Sequence, residues 1–243
     1  MPIPRIHCDQ RLGPGAQFAL DPDAAQHVAK SLRLKAGDSL VLFDGRGGEY
    51  EAAIQRIDRD RVDVKVAGYR EAARESALSL GLVQGLPEAD KMDWIIQKAT
   101  ELGVAWIQPV TCERSVVRLS GDRAARREAH WRRVAVAAAE QCGRTLIPEV
   151  RPALGFPNWL AAPVETPRWM LAPGGAAIAS QPGAPSPLEL VVGPEGGFSE
   201  RERALLEDHG CIPVSLGPRV LRTETAPIAA LAAIHALWGD FKS

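Results

Sequence analysis

The 243-residue chain has no apolar run long and pure enough to span a bilayer. Its first residues, MPIPRIHCDQ, lack the apolar segment of a secretory signal. Paired cysteines are missing too. Cys8, Cys112, Cys142 and Cys211 are scattered, with no CxxC pair and no histidine at ligand spacing, which argues for reduced thiols and against a structural zinc site. A cytoplasmic protein without membrane contact or metal is expected. There is no internal repeat. A Gly-Lys-Ser/Thr phosphate loop and a G-x-G-x-x-G fingerprint are both absent, so nucleotide-binding readings lose their main support. Net charge is only −1, and the average gives no hint of a nucleic-acid partner.

What is present is the composition of a globular protein, 46% hydrophobic and 24% charged, at a length that suits one large domain or two unequal ones. Residues 1–72 read as a small β-barrel. LVLFDGRGGEYEAAI is two apolar runs around a glycine turn, and RVDVKVAGY alternates with period two. DPDAAQHVAKSLRL between them reads as a short helix capped by Asp21, with Pro22 at its first position. The charged stretch YREAARESA is the candidate linker. Residues 73–243 then alternate strands with helices: LSLGLVQGL, AWIQPVTC, TPRWMLAP, LELVVGPEGG and CIPVSLG against ADKMDWIIQKATELGV, DRAARREAHWRRVAVAAAEQCG, SERERALLEDHG and TETAPIAALAAIHALW. That order predicts a mostly parallel sheet covered by helices. GGAAIASQPGAPSP reads as a loop.

The neutral average hides local charge. From Arg114 to Arg133 there are seven arginines against Asp122 and Glu128. Such a run is either a footprint for phosphate or a solvated helix face. Two glycine turns follow successive strands. LVVGPEGGFSERE leads from strand to helix, with Ser199 and Glu202 spaced as a capping box. SLGPRVLRTETAP sets Arg219, Arg222 and Glu224 before a nearly uncharged helix. Either turn alone is commonplace; together they suggest one ligand lying across the ends of the strands. On the first long helix Lys91, Trp94, Lys98 and Glu101 form a stripe, and an aromatic among cations suits an unstacked base and its phosphates. Arg133, Ala137, Glu140 and Arg144 form a second stripe.

GPEGGF, LGPRVLRTETA, DKMDWIIQKATELGV and AEQCGR, in this chain, resemble the bacterial family that methylates N3 of a uridine in 16S ribosomal RNA, within the SPOUT superfamily of trefoil-knotted methyltransferases. PRIHC and HVAKSLRL are similar, more loosely, to that family's PUA-like RNA-binding domain. The resemblance implies an α/β fold with a C-terminal knotted domain, a homodimer, and S-adenosylmethionine as cofactor. Its site would use Leu171, Pro173, Val192, Gly193, Glu195, Gly196, Gly197, Leu216, Gly217, Pro218, Val220, Leu221 and Arg222.

Uracil N3 must lose a proton before it attacks a methyl group. Arg222 is the candidate cation for the uracil anion, with Glu224, Glu140 or Glu101 as candidate proton acceptors. Candidate RNA contacts are Arg5, His27 and Arg33 in the small domain and Lys91, Lys98, Arg114 and Arg144 in the large one. Substrate would be 16S ribosomal RNA, in the assembled 30S subunit. Glu88 and Asp90 depart from the family's pattern, which commonly has a basic or glycine residue there, and would weaken phosphate binding by that loop. Three rivals stand beside this reading: methylation of a tRNA ribose hydroxyl, a non-catalytic RNA-binding assembly factor, and, last, a nucleotide-dependent enzyme using GPEGG as a phosphate cradle.

Overall fold

The structure is a computed structural model describing residues 3–59, 61–163 and 166–242. The chain divides into two compact units, one running to Glu75 and including Ala139–Ile147, the other formed by Ser76–Ala138 and the chain from Pro148 onward.

The first unit holds β1 (Arg5–His7), β2 (Gln17–Ala19), β3 (Ser39–Phe43), β4 (Glu49–Asp58) and β5 (Arg61–Arg70) in one sheet, ordered β1-β3-β4-β5-β2. Only the β1–β3 pair is parallel. The period-two pattern of β5 buries Val62, Val64 and Val66 against Ile6, Leu40, Leu42 and Ile54. A short helix, α1 (Pro22–Gln26), crosses this core; the Asp21 carboxylate accepts from the Ala24 N–H at 2.9 Å, as its position before Pro22 predicts. The helix widens into a π turn, His27–Ser31, and ends on Arg33 in the left-handed region (φ 54°).

The linear pattern did not show that Ala139–Ile147 belongs to this unit. The reason is charge and hydrogen bonding rather than apolar burial. The Arg5 guanidinium donates to the carbonyls of Ala139, Glu140 and Arg144 at 3.0, 3.2 and 3.0 Å. Glu75 receives Arg144 Nε at 2.8 Å and the Thr145 and Leu146 N–H groups at 2.9 and 3.0 Å.

The second unit is a seven-stranded sheet. Its strands are β6 (Leu80–Gly85), β7 (Trp106–Thr111), β8 (Glu149–Val150), β9 (Leu154–Gly155), β10 (Arg168–Ala177), β11 (Leu188–Val192) and β12 (Ile212–Ser215). They run in the order β12-β10-β11-β6-β7-β8, with β9 beside β7, and every pair is parallel. The central strands β6 and β11 are buried at every residue, as parallel strands covered on both faces must be. The covering helices are α2 (Ala89–Glu101), α3 (Gly121–Cys142), α4 (Phe156–Leu160), α5 (Glu200–Asp208) and α6 (Thr225–Trp238). Met92, Ile95, Ile96 and Ala99 form the buried face of α2, which ends at Gly103 with φ 79°.

Two features differ from the sequence pattern. The strand beginning at Arg168 does not stop before the glycines: β10 continues to Ala177 after a bulge, because Leu171 and Ala176 both pair with Val214. The short β8, β9 and α4 carry too few residues for a periodic signal. Burial pushes the thiols of Cys8 and Cys112 up to about 12 and that of Cys211 to about 11, so these three stay protonated. Among the described residues no helix is long and apolar enough to cross a membrane, and no group of three acidic, histidine or cysteine side chains could hold a metal.

Candidate functional site

Three segments, one inside β10 and two at the carboxyl ends of β11 and β12, enclose a cavity of about 510 Å³. Ligands in parallel sheets characteristically bind there, where strands end and loops diverge.

The first segment, Gly193–Phe198, follows β11. A Cβ on Gly193 would lie 3.1 Å from the Phe198 nitrogen and 3.2 Å from the Gly197 carbonyl carbon, so a side chain there would press the turn outward by a few tenths of an ångström. Gly197 takes φ 65°. The turn is anchored by the Ser199–Glu202 capping box at the head of α5, with bonds of 3.1 and 3.0 Å. Glu195 points back to α2: its Oε1 receives Lys91 Nζ at 2.7 Å and the Glu88 N–H at 3.0 Å. Partial burial raises the Glu195 carboxyl, but the ammonium and the amide outweigh it and hold it below the usual carboxylate value. The same bond raises Lys91 above an ordinary lysine.

The second segment, Leu216–Ala226, follows β12. It turns at Gly217 (φ 100°) and exposes Arg219, Val220 and Arg222 before entering α6. The Thr225 and Ala226 N–H groups both return to the Arg222 carbonyl at 2.9 Å, which closes the turn. Glu224 stands at the head of α6 without capping it, and its Oε2 is enclosed with no hydrogen-bond partner. The third segment is the β10 bulge. A Cβ on Gly175 would lie 2.7 Å from the Pro213 carbonyl carbon, and the Ser215 hydroxyl donates to the Gly175 carbonyl at 2.8 Å.

One polar bridge ties the first two segments together. The Thr223 hydroxyl donates to the Gly193 carbonyl at 2.7 Å and receives Gln84 Nε2 at 3.1 Å. Gln84, fully buried at the end of β6, also donates to the Gly85 carbonyl at 2.9 Å.

The cavity gathers the residues named for the cofactor, Leu171, Pro173, Val192, Gly193, Glu195, Gly196, Gly197, Leu216, Gly217, Val220, Leu221 and Arg222; Pro218 is the one not lining it. Glu224, Lys91 and Arg114 line it as well, and Arg114 donates to the Gly196 carbonyl at 2.8 Å. The other two carboxylates lie elsewhere. Glu101 is paired with Lys98 at 2.7 Å, and Glu140, in the first unit, accepts from the His7 N–H at 2.8 Å. Burial pushes the Glu140 carboxyl up.

The candidate RNA contacts divide the same way. His27 and Arg33 are exposed. Lys98, besides its tie to Glu101, sits 5.0 Å from the centroid of the exposed Trp94 ring. Arg5 and Arg144 are spent internally: Arg5 on Glu49 and three carbonyls, the buried Arg144 on Glu75. Both make ties within the first unit. Glu88 is exposed and lies 3.7 Å from Lys91. Gln84 and Thr223 escaped the sequence reading of the site. The signal for Gln84 was there, as the one polar side chain in the strand LGLVQG.

A family model described as RNA methyltransferase domain matches residues 74–235, and one described as RNA methyltransferase PUA domain matches residues 20–67. The chain belongs to this RNA methyltransferase family. It is 32% identical to ribosomal RNA small subunit methyltransferase E of Bacillus subtilis, over 93% of this chain and 92% of that one. Ribosomal RNA small subunit methyltransferase E of Neisseria gonorrhoeae, solved bound to S-adenosylmethionine, superposes with a TM-score of 0.93 at 36% identity, over 98% of this chain and 99% of that one. A Legionella pneumophila protein solved with the bound cofactor S-adenosylmethionine gives 0.94 at 37% identity, over 99% and 100% of the two chains. The family's fold thus extends over the whole described chain, with the cavity in its methyltransferase domain.

Proposed function

We propose that the protein binds S-adenosylmethionine in this cavity and methylates N3 of a uridine in the decoding region of 16S ribosomal RNA. The observation that carries the reading is that Arg222 and Glu224 line the same cavity as the two glycine segments. A cation and a carboxylate in one cavity wall suit a base that must lose a proton before it reacts.

The residues present fit the cofactor. Apolar walls from Leu171, Val192, Leu216 and Leu221 alternate with backbone polar groups of the three segments, which suits a ligand with a purine at one end and charged groups at the other. When bound, the cofactor supplies an electrophilic methyl group. The protein's part is to hold the base and manage one proton. Glu224 accepts the N3 proton, and Arg222 stabilises the charge that then spreads to the uracil oxygens. Lys91, locked to Glu195, fixes the glycine turn against α2 so that the wall is preformed.

A homodimer with a trefoil-knotted C-terminal domain is part of the same reading. Its support is α6, whose Ile228, Ala229, Ala232, Ala233 and Leu237 are only partly covered, together with the highly exposed Val220. The test is labelled-methyl transfer to assembled 30S subunits, free 16S RNA and tRNA, with the product identified by nucleoside mass spectrometry. 3-Methyluridine from 30S subunits is expected. A 2′-O-methylated nucleoside from tRNA would replace the reading with its rival.

A further inference from the structure

The cations assigned to RNA from sequence are largely used inside the protein, whereas the arginines of α3 are not. Arg123, Arg126, Arg132 and Arg133 are exposed, and among the described residues no hydrogen bond or ion pair engages them. The helix's own acids do not neutralise them. Glu128 accepts from the Ala153 N–H at 2.9 Å, and Asp122 occupies the first turn, where it complements the helix dipole. His130 binds Asp93 of α2 at 2.7 Å, which ties α3 to its neighbour. The helix is thus a fixed support and not a loose arm.

Helical spacing decides where these arginines point. Trp131, Ala135, Ala138 and Ala139 are the buried face of α3. At about 100° per residue, Arg126 and Arg133 fall opposite that face and Arg123 beside them. From Arg123 to Arg133 the rise is about 15 Å, enough to meet several phosphates along a strand. The chain enters this ridge from Arg114 in the cavity wall, through the exposed Arg118.

We propose that the outer face of α3, formed by Arg123, Arg126 and Arg133, grips the phosphate backbone of the substrate RNA. The proposal rests on the RNA methyltransferase reading of the cavity. Arginine's planar fork suits phosphate oxygens, and contacts of this kind position a substrate without reading its sequence. An acidic protein is the less favoured occupant, because such interfaces centre on aromatic or apolar anchors. Between these arginines the exposed apolar side chains are alanines, Ala125 and Ala129.

The test compares the wild type with the triple variant Arg123→Gln, Arg126→Gln, Arg133→Gln. Dissociation constants for a small-subunit ribosomal RNA fragment are measured across a salt series. Each lost phosphate contact flattens the log–log salt slope by about 0.7–0.9, so a flattening of about 2–3 is expected, with at least tenfold weaker binding at low salt. Cofactor affinity by calorimetry stays at the wild-type value, showing that the fold is intact. The matching triple lysine variant keeps the wild-type slope. An unchanged slope in the glutamine variant overturns the proposal and leaves the face as solvation. So does an unchanged slope accompanied by lost binding of a polyglutamate peptide, which would assign the face to an acidic protein. Failure of the enzymatic reading shows separately, as a wild-type protein that transfers no methyl group to ribosomal RNA.

Discussion

The side-chain amide of Gln84 donates to the hydroxyl of Thr223 across 3.1 Å, and Thr223 passes the bond on to the Gly193 carbonyl at 2.7 Å. Residues 139 positions apart thereby hold the two glycine segments of the cavity in register. Thr223→Val keeps the shape of the side chain but removes the hydroxyl, leaving the Gln84 amide with the Gly85 carbonyl at 2.9 Å and only a long 3.4 Å contact to the Gly193 carbonyl. The cost of such a loss is about 1–3 kcal/mol. S-adenosylmethionine affinity is expected to fall about tenfold, with Thr223→Ser restoring it, as read by calorimetry. Equal affinity in the valine variant would show that the loops hold their places without the bridge.

Arg222 and Glu224 carry different parts of the proposed chemistry, and their variants should separate. Arg222→Ala is expected to lower kcat about a hundredfold while RNA affinity changes little, because the guanidinium acts on charge that develops during reaction. Glu224→Gln should also lower kcat, and part of the loss should return as pH rises and the uracil ionises in solution. Arg222→Ala should show no comparable return. Parallel losses of kcat and RNA affinity would make Arg222 a docking residue, and a flat pH–rate comparison would remove Glu224 as the proton acceptor.

How much of this was legible in the sequence depends on the range of the interaction. The strands and long helices of the second unit followed from periodicity, since each apolar face is written into consecutive residues. The capping box at Ser199 and the cap at Asp21 were equally local. The cavity wall was named through motif resemblance, and the cavity collects those motifs from β10 and from the ends of β11 and β12. Sequence gave no warning that Arg5 and Arg144 would turn inward, because their partners are backbone carbonyls, Glu49 and Glu75, at separations of 44 to 139 residues. Charge type was visible, but its partner was not. The same limit hid the role of Gln84.

Glu49 gives the first unit a pH-sensitive tie. Its buried carboxylate meets Arg5 at 2.9 Å and Arg74 at 2.8 Å, and Arg70 bonds its other oxygen. Burial alone would raise this carboxyl; the three arginines outweigh it and hold it below the usual value. A carboxyl lowered in the folded state stabilises the protein above its unfolded value, and that stability is lost as pH falls through the lowered folded value. Thermal stability should therefore drop on acidification below about pH 4.5, the ordinary glutamate range. Glu49→Gln is expected to cost about 2–3 kcal/mol at neutral pH, less than a fully enclosed pair because Arg70 and Arg74 reach water. Melting curves for both proteins should converge in acid. A gap that persists unchanged at low pH would mean that packing, not charge, explains the loss.

Arg168 and Glu189 form a pair of the enclosed kind. They stand directly opposite each other on β10 and β11, bonded at 2.8 Å, with only 6% and 4% of their side chains exposed. The guanidinium also lies 4.6 Å from the centroid of the Trp159 ring. Removing one partner leaves a charge in apolar surroundings, so Glu189→Gln should cost about 3–5 kcal/mol in denaturant unfolding. Replacing both, as Arg168→Met with Glu189→Leu, should recover most of that, since two apolar side chains of similar size carry no desolvation penalty. If the double variant is stable yet binds S-adenosylmethionine more weakly, the pair serves alignment rather than stability. β10 and β11 deliver the bulge and the first glycine turn to the cavity, and a slip between them would move both walls at once. If the single variant instead loses less than about 1 kcal/mol, water reaches the pair in solution and the tie contributes little to either.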